Sequence, residues 1–119
     1  MTLLIVDDSM VMRETIEEYL TDYNLNIIGT AANGREAVQI VKEKKPDVIT
    51  LDITMPEMDG LDCLDQIMDI HPDAKVMIIT ALADKLTGLQ AIDKGATGFF
   101  LKPVDPKELQ EGFDELLDR

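Results

Sequence analysis

Polar residues that directly follow short apolar runs are the strongest candidates for chemistry in this sequence. Four such runs end in a side chain that a buried core would not select: Asp7 and Asp8, Asp52, Thr80 and Lys102. Carboxylates are preferred ligands of hard divalent cations. A lysine ammonium and a threonine hydroxyl can donate hydrogen bonds to phosphoryl oxygens. The residue types therefore indicate a site for a divalent cation and a phosphoryl group.

The three aspartates require a cation if they meet in one place. Converging carboxylates repel one another in a partly buried site, and some of them would take up protons unless a cation joined them. Mg²⁺ suits such a site because it binds a few protein oxygens and keeps several waters. Three carboxylates, one Mg²⁺ and the Lys102 ammonium carry no net charge together. Each residue alone has an ordinary explanation, such as a helix cap for Asp8 or a solvated surface lysine for Lys102.

The apolar runs themselves predict five strands, because each is too short for a core helix and rich in β-branched residues. They lie at Leu3–Val6, Leu25–Ile28, Val48–Leu51, Val76–Thr80 and Gly98–Leu101. Helical periodicity lies between and after them: Met12, Ile16, Tyr19, Leu20 and Tyr23 form one pattern, and Leu109, Phe113, Leu116 and Leu117 another. Further helices are expected near residues 34 to 45, 60 to 70 and 84 to 94. Asp105, Pro106 and Glu108 fit the first turn of the last helix, and Gly95 fits the position after a helix end.

Strict alternation of strands and helices predicts a doubly wound α/β domain with a five-stranded parallel sheet in the order 2-1-3-4-5. In such a sheet the carboxyl ends of all strands share one edge, and ligands bind where the strand order reverses. The crevice would lie between strands one and three, so the three aspartates would meet there, flanked by Thr80 and Lys102. We expect one domain over residues 1–119.

The composition narrows the range of partners. With 24 acidic and 11 basic residues, the chain has a formal net charge of −13. Such a charge opposes contact with a nucleic-acid backbone or an anionic membrane. The first apolar run is too short for a signal peptide or a membrane span, which favours a cytoplasmic protein. Cys63 is expected to be a small packing residue, and His71, beside Pro72, a solvated turn residue. Core packing is expected for Met10, Met12, Met68 and Met77.

Four segments together resemble the receiver domains of two-component response regulators, in particular the CheY-like stand-alone chemotaxis regulators. They are LLIVDD at 3–8, DITMPEMDG at 52–60, Thr80-Ala81, and GFFLKP at 98–103. The resemblance extends over residues 2 to 118. It implies that Asp52 is the phosphoacceptor, with Mg²⁺ bound directly by Asp8 and Asp52, through water by Asp7, and by the backbone carbonyl of Thr54. It also implies that Lys102 pairs with a phosphoryl oxygen and that the Lys102–Pro103 peptide is cis.

The resemblance further implies a switch and two kinds of partner. Thr80 would donate its hydroxyl to the phosphoryl group, and Phe99 would occupy the aromatic switch position. The phosphodonor would be a sensor histidine kinase or a phosphotransfer protein. A downstream protein would bind the face formed by helix four, strand five and helix five. The sequence departs from chemotaxis members at Phe99, which lacks the hydroxyl of the tyrosine common there, so switching must be carried by packing.

The last helix also departs from regulators of the flagellar motor, which carry several lysines on this face. Residues 105 to 119 contain six acids against two bases, a net charge of −4: Asp105, Glu108, Glu111, Asp114, Glu115 and Asp118 against Lys107 and Arg119. We therefore expect a partner whose docking segment is basic or mainly apolar. The acids could alternatively form only a solvated helix face.

Two other functions compete with the receiver interpretation. A phosphatase of the haloacid-dehalogenase type also uses a phosphoaspartate, but it places a second acid where this chain has Thr54. A flavodoxin-like flavin carrier would share the fold, but Asp7 and Asp8 would repel its phosphate. The sequence leaves open whether the chain is a free-standing regulator or the receiver part of a longer one.

Overall fold

The computed structural model describes residues 1–54, 60–81 and 85–117. Within these residues five strands alternate with five helices, and all strand pairs are parallel. The strands are β1 (Thr2–Val6), β2 (Asn26–Ala31), β3 (Val48–Leu51), β4 (Lys75–Thr80) and β5 (Gly98–Leu101). The helices are α1 (Met10–Tyr19), α2 (Gly34–Lys44), α3 (Gly60–Ile70), α4 (Lys85–Asp93) and α5 (Pro106–Leu116). The strand order β2-β1-β3-β4-β5 confirms the predicted doubly wound sheet.

Helices cover both faces of this sheet and divide its core into two clusters. On one face Ile16 of α1 and Phe113 of α5 pack against Leu3 and Ile5 of β1. On the other face α2, α3 and α4 pack against the alternate strand residues, and their contacts include Val41, Leu64 and Ala91. The central strands β1 and β3 are therefore buried on both sides, which explains why they appear in the sequence as continuous apolar runs.

The predictions for β2 and α1 were wrong in their bounds. β2 was expected at Leu25–Ile28 but ends at Ala31, and it includes Gly29 and Thr30. β2 is an edge strand and is only partly buried, so its second half needs few apolar residues and was not recognised as strand from the sequence. The helical pattern was expected to include Tyr23, but α1 ends at Tyr19. Tyr23 is buried after the helix, and its hydroxyl oxygen lies 2.7 Å from each of two acceptors, Gln110 O and Asp114 Oδ1.

The predicted helix-end residues are confirmed. Asp105 is the N-cap of α5 and accepts a hydrogen bond from Lys107 N, while Pro106 begins the helix. Gly95 follows α4 with φ of 108°, a left-handed conformation that favours glycine. Gly60 is required for another reason. A Cβ atom there would lie 2.1 Å from Ile53 Cα, so α3 can begin against the segment that carries Asp52 only with glycine.

Two single-residue expectations were wrong. His71 is partly buried and its Nε2 lies 2.9 Å from Pro46 O, so it connects the end of α3 to the loop before β3. Met10 does not pack in the core, because 62% of its surface is exposed at the start of α1. The other three methionines contact the core, and Cys63 is fully buried, as expected. None of the described helices has the length and hydropathy of a membrane-spanning segment.

Candidate metal centre

The carboxyl ends of β1 and β3 bring the three predicted aspartates together. Asp7 and Asp8 follow β1 directly, and Asp52 follows β3. Carboxylate oxygens of all three residues lie within 4.8 Å of one another. Asp7 and Asp52 are buried, whereas Asp8 is exposed. The sheet order thus produces the convergence that the sequence predicted, with one acid facing solvent and two below it.

Asp7 is held on several sides. Its backbone N–H donates to Ala31 O at 3.0 Å, and its Oδ1 accepts a hydrogen bond from Ser9 N at 2.9 Å. Oδ2 lies 2.8 Å from the Lys102 ammonium nitrogen. This second oxygen is buried but accepts no well-aligned hydrogen bond from the described residues, so the contact with Lys102 is an ion pair and a lone pair stays available.

Both oxygens of Asp52 have partners. Oδ1 accepts hydrogen bonds from Thr54 N at 2.9 Å and from the Thr54 hydroxyl at 2.7 Å. Oδ2 accepts from Lys102 Nζ at 3.0 Å. These bonds fix the plane of the carboxylate. They also show that the Thr54 hydroxyl contributes at this site. The metal-binding role of the Thr54 backbone carbonyl, which the resemblance implies, stays a prediction.

Lys102 connects Asp7 and Asp52 from the end of β5. Its backbone N–H donates to Thr80 O at 2.8 Å, which holds it next to β4, and the Lys102–Pro103 peptide is cis, as predicted. Burial lowers the pKa of Lys102, but its close contacts with the Asp7 and Asp52 carboxylates outweigh that effect and raise it. Lys102 is therefore cationic at neutral pH and balances part of the negative charge.

The two buried aspartates have opposite pKa shifts. Burial raises the pKa of Asp7 above its ordinary value, because Lys102 and Ser9 offset the lost hydration only in part. Burial also raises the pKa of Asp52, but hydrogen bonds from Thr54 and Lys102 lower it further than burial raises it. The Asp52 carboxylate is thus kept ionised, the state that a nucleophile or a metal ligand requires.

The donors at this edge fit Mg²⁺. They are carboxylate oxygens, which a hard cation prefers. Asp7 Oδ2 is buried with a lone pair available, and Asp8 faces solvent, from which an ion would enter. The resemblance assigns direct contacts with the ion to Asp8 and Asp52 and an indirect contact to Asp7, and this division stays a prediction.

Comparison with known proteins agrees with this geometry. A family model described as the response regulator receiver domain matches residues 3–114. The chain belongs to this family. The receiver domain is similar to the chemotaxis protein CheY of Thermotoga maritima, with 42% identity over 95% of this chain and 94% of that protein. It is also similar to CheY of Listeria monocytogenes, with 45% identity over 95% of each chain.

Solved structures show the same fold. A crystal structure of the CheX–CheY–BeF₃–Mg complex from Borrelia burgdorferi superimposes with a TM-score of 0.92 at 38% identity, covering 98% of this chain and 88% of that one. The receiver domain of CheB from Thermotoga maritima has a TM-score of 0.82 at 31% identity, covering 99% and 92%. The sequence-based identification as a CheY-like receiver domain is therefore confirmed.

The predicted switch residues of the receiver domain lie on one face of the sheet. Thr80 ends β4 and is buried. Phe99 pairs with Ile78, two residues before Thr80, so the two side chains point to the same side. The ring of Phe99 lies against α4, where a Cβ on Gly88 would be 3.7 Å from it. Phe99 is only partly buried, which leaves part of its ring at the surface.

Beside Phe99 the receiver domain has a pocket of about 660 Å³ between α4, β5 and the start of α5. Its lining includes Leu89, Ile92, Phe99, Leu101 and Glu108. Lys102 and Pro103 also line it, so the pocket reaches the edge that carries the acids. The apolar members Leu89, Ile92 and Leu101 are each about half exposed, at 57%, 48% and 48%.

The sequence analysis assigned no role to Ser9, Arg13 or the Thr54 hydroxyl. Ser9 is the N-cap of α1, accepting from Met12 N, and its own N–H binds Asp7. Arg13 donates from Nη1 to the backbone carbonyl of Asp7 at 2.7 Å. A serine before a helix is a readable cap signal. The contact of Arg13 depends on a side chain reaching back across a helix turn, which residue spacing alone does not reveal.

Proposed function

We propose that this receiver domain is a phosphoacceptor switch, in which Asp52 takes a phosphoryl group from a histidine kinase or a phosphotransfer protein with Mg²⁺ bound. The observation that carries the proposal is the arrangement around Asp52: an ionised carboxylate beside two further aspartates and 3.0 Å from a lysine ammonium. We further propose that residues 1–119 form one such domain, acting in the cytoplasm where the ATP-dependent kinase has its substrate.

The chain's own residues supply most of the chemistry by position and charge. One Asp52 oxygen forms the new bond to phosphorus as the bond between phosphorus and the donor histidine nitrogen breaks. The Lys102 ammonium neutralises charge on the transferring oxygens. Bound Mg²⁺, held by Asp8, Asp52 and the Thr54 carbonyl with Asp7 acting through water, would supply further neutralisation there. Water then hydrolyses the acyl phosphate, so the domain limits the lifetime of its own signal.

Signalling follows from what the new phosphoryl oxygens attract. They accept a hydrogen bond from the Thr80 hydroxyl, which biases the packing of Phe99 on the same face of the sheet. Because Phe99 lies against α4 and lines the pocket there, its movement changes the shape of the α4, β5 and α5 surface. No hydroxyl can lock the Phe99 ring, so the two states differ by packing alone.

The downstream partner is proposed to bind this surface through a basic or mainly apolar segment. Leu89, Ile92 and Leu101 offer exposed apolar contacts, and Glu108 borders them. Glu111 and Glu115 continue from Glu108 along the exposed side of α5, while Asp118 and Arg119 lie outside the described residues. The similarity to CheY proteins favours a chemotaxis-type output over other phosphorelays.

Intact mass spectrometry tests the phosphoacceptor directly. The protein is mixed with acetyl phosphate and Mg²⁺, and we expect the mass of one added phosphoryl group. Asp52→Asn and a sample containing a chelator should both remain unlabelled. Labelling of Asp52→Asn to the extent of the parent would refute Asp52 as the acceptor, and labelling that ignores the chelator would remove Mg²⁺ from the mechanism.

Salt dependence tests the partner proposal once a phosphorylation-dependent partner is in hand. Binding should weaken as salt rises if the glutamates of α5 contribute. At constant salt, Glu108→Lys and Glu111→Lys should bind the partner more weakly than the parent does. The matched control Glu17→Lys, an exposed position on α1, should bind it as the parent does. Affinity unchanged by salt and by both α5 variants would leave the acidic side of α5 as a solvated surface only.

A further inference from the structure

The backbone between Asp7 and Asp8 is fixed by a side chain that takes no part in the proposed chemistry. β1 pairing ends at Val6, which is aligned with Ala31 and Leu51 of the neighbouring strands. Asp7 lies beyond that point and is completely buried, so its carbonyl needs a donor from elsewhere. Arg13 supplies it. Its Nη1 donates to Asp7 O at 2.7 Å, six residues back along the chain.

This hydrogen bond satisfies the Asp7 carbonyl and also orients the peptide between Asp7 and Asp8. The carbonyl of Asp7 and the N–H of Asp8 belong to the same planar peptide, so fixing one fixes the orientation of the other. Asp8 is exposed, and no described hydrogen bond of its own side chain holds it in place. The direction of its carboxylate therefore depends on the peptide that Arg13 holds.

Arg13 is itself well anchored for this role. Its backbone N–H donates to Ser9 O at 3.0 Å in the first turn of α1, and its side chain is partly buried. A planar guanidinium loses less freedom on making such a bond than a flexible amine does, and hydrogen bonds from a charged donor are stronger than neutral ones. Ser9 N and Arg13 thus hold Asp7 from two sides, at its carboxylate and at its carbonyl.

We propose that Arg13 is a positioning residue of the acidic edge: by holding the Asp7–Asp8 peptide it aims the Asp8 carboxylate and so sets the affinity for Mg²⁺. This inference rests on the proposed function. Residues that orient metal ligands commonly change metal affinity by about ten- to a hundredfold when they are removed.

The positive charge of Arg13 and its proposed positioning role have opposite effects on the affinity for Mg²⁺, so a substitution can distinguish them. Removing a cation near three carboxylates strengthens their attraction for Mg²⁺. If Arg13 acted only through its charge, Arg13→Met would therefore bind Mg²⁺ more tightly. If it positions Asp8, the same variant binds Mg²⁺ more weakly. A loss of affinity cannot come from the missing charge.

The experiment measures Mg²⁺ dissociation constants of the metal-free protein by calorimetry for the parent, Arg13→Met, Arg13→Lys and Arg35→Met. Arg35 is the matched control, since it is an exposed arginine on α2, which begins at the same edge of the sheet. We expect about tenfold weaker binding in Arg13→Met, an intermediate value in Arg13→Lys, and unchanged or tighter binding in Arg35→Met. Acetyl phosphate labelling of Arg13→Met should return towards the parent rate at saturating Mg²⁺.

Equal or tighter Mg²⁺ binding in Arg13→Met would overturn the positioning role and leave the proposed function standing. A parent that fails to bind Mg²⁺ would overturn both. A labelling rate in Arg13→Met that stays low at saturating Mg²⁺ would also contradict a role confined to Asp8. If Arg13→Met does not fold, Arg13→Gln takes its place under the same criteria, since it removes the charge but keeps a polar side chain.

Discussion

The acidic edge and the α4, β5 and α5 surface are built in opposite ways. At the edge, Asp7 and Asp52 are buried, and contacts with Ser9, Thr54 and Lys102 hold their carboxylates in place. On the surface, Leu89 and Ile92 expose about half of their side chains around a pocket. Chemistry requires fixed geometry, whereas recognition of a partner requires apolar area that is still available for burial. Lys102 belongs to both regions, because it pairs with Asp52 at the edge and also lines the surface pocket.

The largest stability effect should come from Lys102→Ala in metal-free protein. It leaves two buried carboxylates without their cation, and we expect a loss of about 2 kcal/mol, reduced from a fully buried pair because Lys102 is 20% exposed. Lys94→Ala, which breaks the partly exposed pair with Asp65, should cost about 0.5 kcal/mol. Urea unfolding compares the two. Equal losses would mean that the buried ion pairs of Lys102 stabilise the fold no more than the partly exposed pair of Lys94 does.

The same variant separates chemistry from signalling. We expect Lys102→Ala to accept a phosphoryl group from acetyl phosphate, because Asp52 and the other acids remain, but to transmit little change to Phe99. Intact mass reports the first property and amide chemical shifts of β5 the second. A full shift of Phe99 in phosphorylated Lys102→Ala would remove the lysine from the coupling.

Mg²⁺ should stabilise the fold, because it binds the assembled acids and has little affinity for the unfolded chain. At a Mg²⁺ concentration ten times the dissociation constant, the free energy of unfolding rises by about 1.4 kcal/mol. Asp8→Asn should lose most of this increase. Thermal melting with and without Mg²⁺ measures both. An identical rise in Asp8→Asn would place the ion elsewhere.

Asp47, at the amino-terminal edge of the sheet and opposite the acidic edge, should make stability depend on pH. Hydrogen bonds from Thr2 N and its hydroxyl, at 2.8 and 3.1 Å, lower the pKa of Asp47 below its ordinary value. A carboxylate whose folded pKa is lowered stabilises the protein above its unfolded pKa, and this stability is lost as pH falls through the folded value. Asp47→Asn should therefore destabilise the protein at pH 6 and have less effect near pH 3. An equal effect at both pH values would show that charge plays no part.

The smallest effect is expected at the exposed surface. Leu89→Ser should change the free energy of unfolding by less than about 0.5 kcal/mol, because the side chain is already 57% exposed. It should nevertheless weaken binding of the downstream partner. Urea unfolding gives the first value and affinity for the phosphorylated domain the second. A large loss of stability would mean that Leu89 belongs to the core and is not available for recognition.

The sequence predicted most of what depends on strand ends. Val48–Leu51 and Gly98–Leu101 were correct to the residue, because both runs are bounded by polar side chains. The convergence of Asp7, Asp8 and Asp52 followed from the parallel sheet alone. The extent of β2 could not be predicted, since an edge strand needs little apolar character. Tyr23 was misplaced because a buried residue after a helix extends the helical pattern without belonging to it.

Contacts made by long side chains were beyond prediction from the sequence. Arg13 reaches Asp7 O, and His71 reaches Pro46 O across 25 residues of chain. Neither contact leaves a periodic trace, because each depends on where two elements meet in space. The second role of Thr54, a hydroxyl bond to Asp52, was missed for a simpler reason. The resemblance directed attention to its backbone carbonyl.

Coupling between the acidic edge and the α4, β5 and α5 surface is tested most directly by amide chemical shifts with beryllofluoride and Mg²⁺, which together mimic the phosphoryl group. In the parent we expect shifts both beside Asp52 and at Phe99 and Gly88. In Thr80→Ala the shifts beside Asp52 should remain and those at Phe99 and Gly88 should be lost. An unchanged response at Phe99 and Gly88 in Thr80→Ala would contradict coupling through Thr80, and a parent that responds only beside Asp52 would contradict the switch itself.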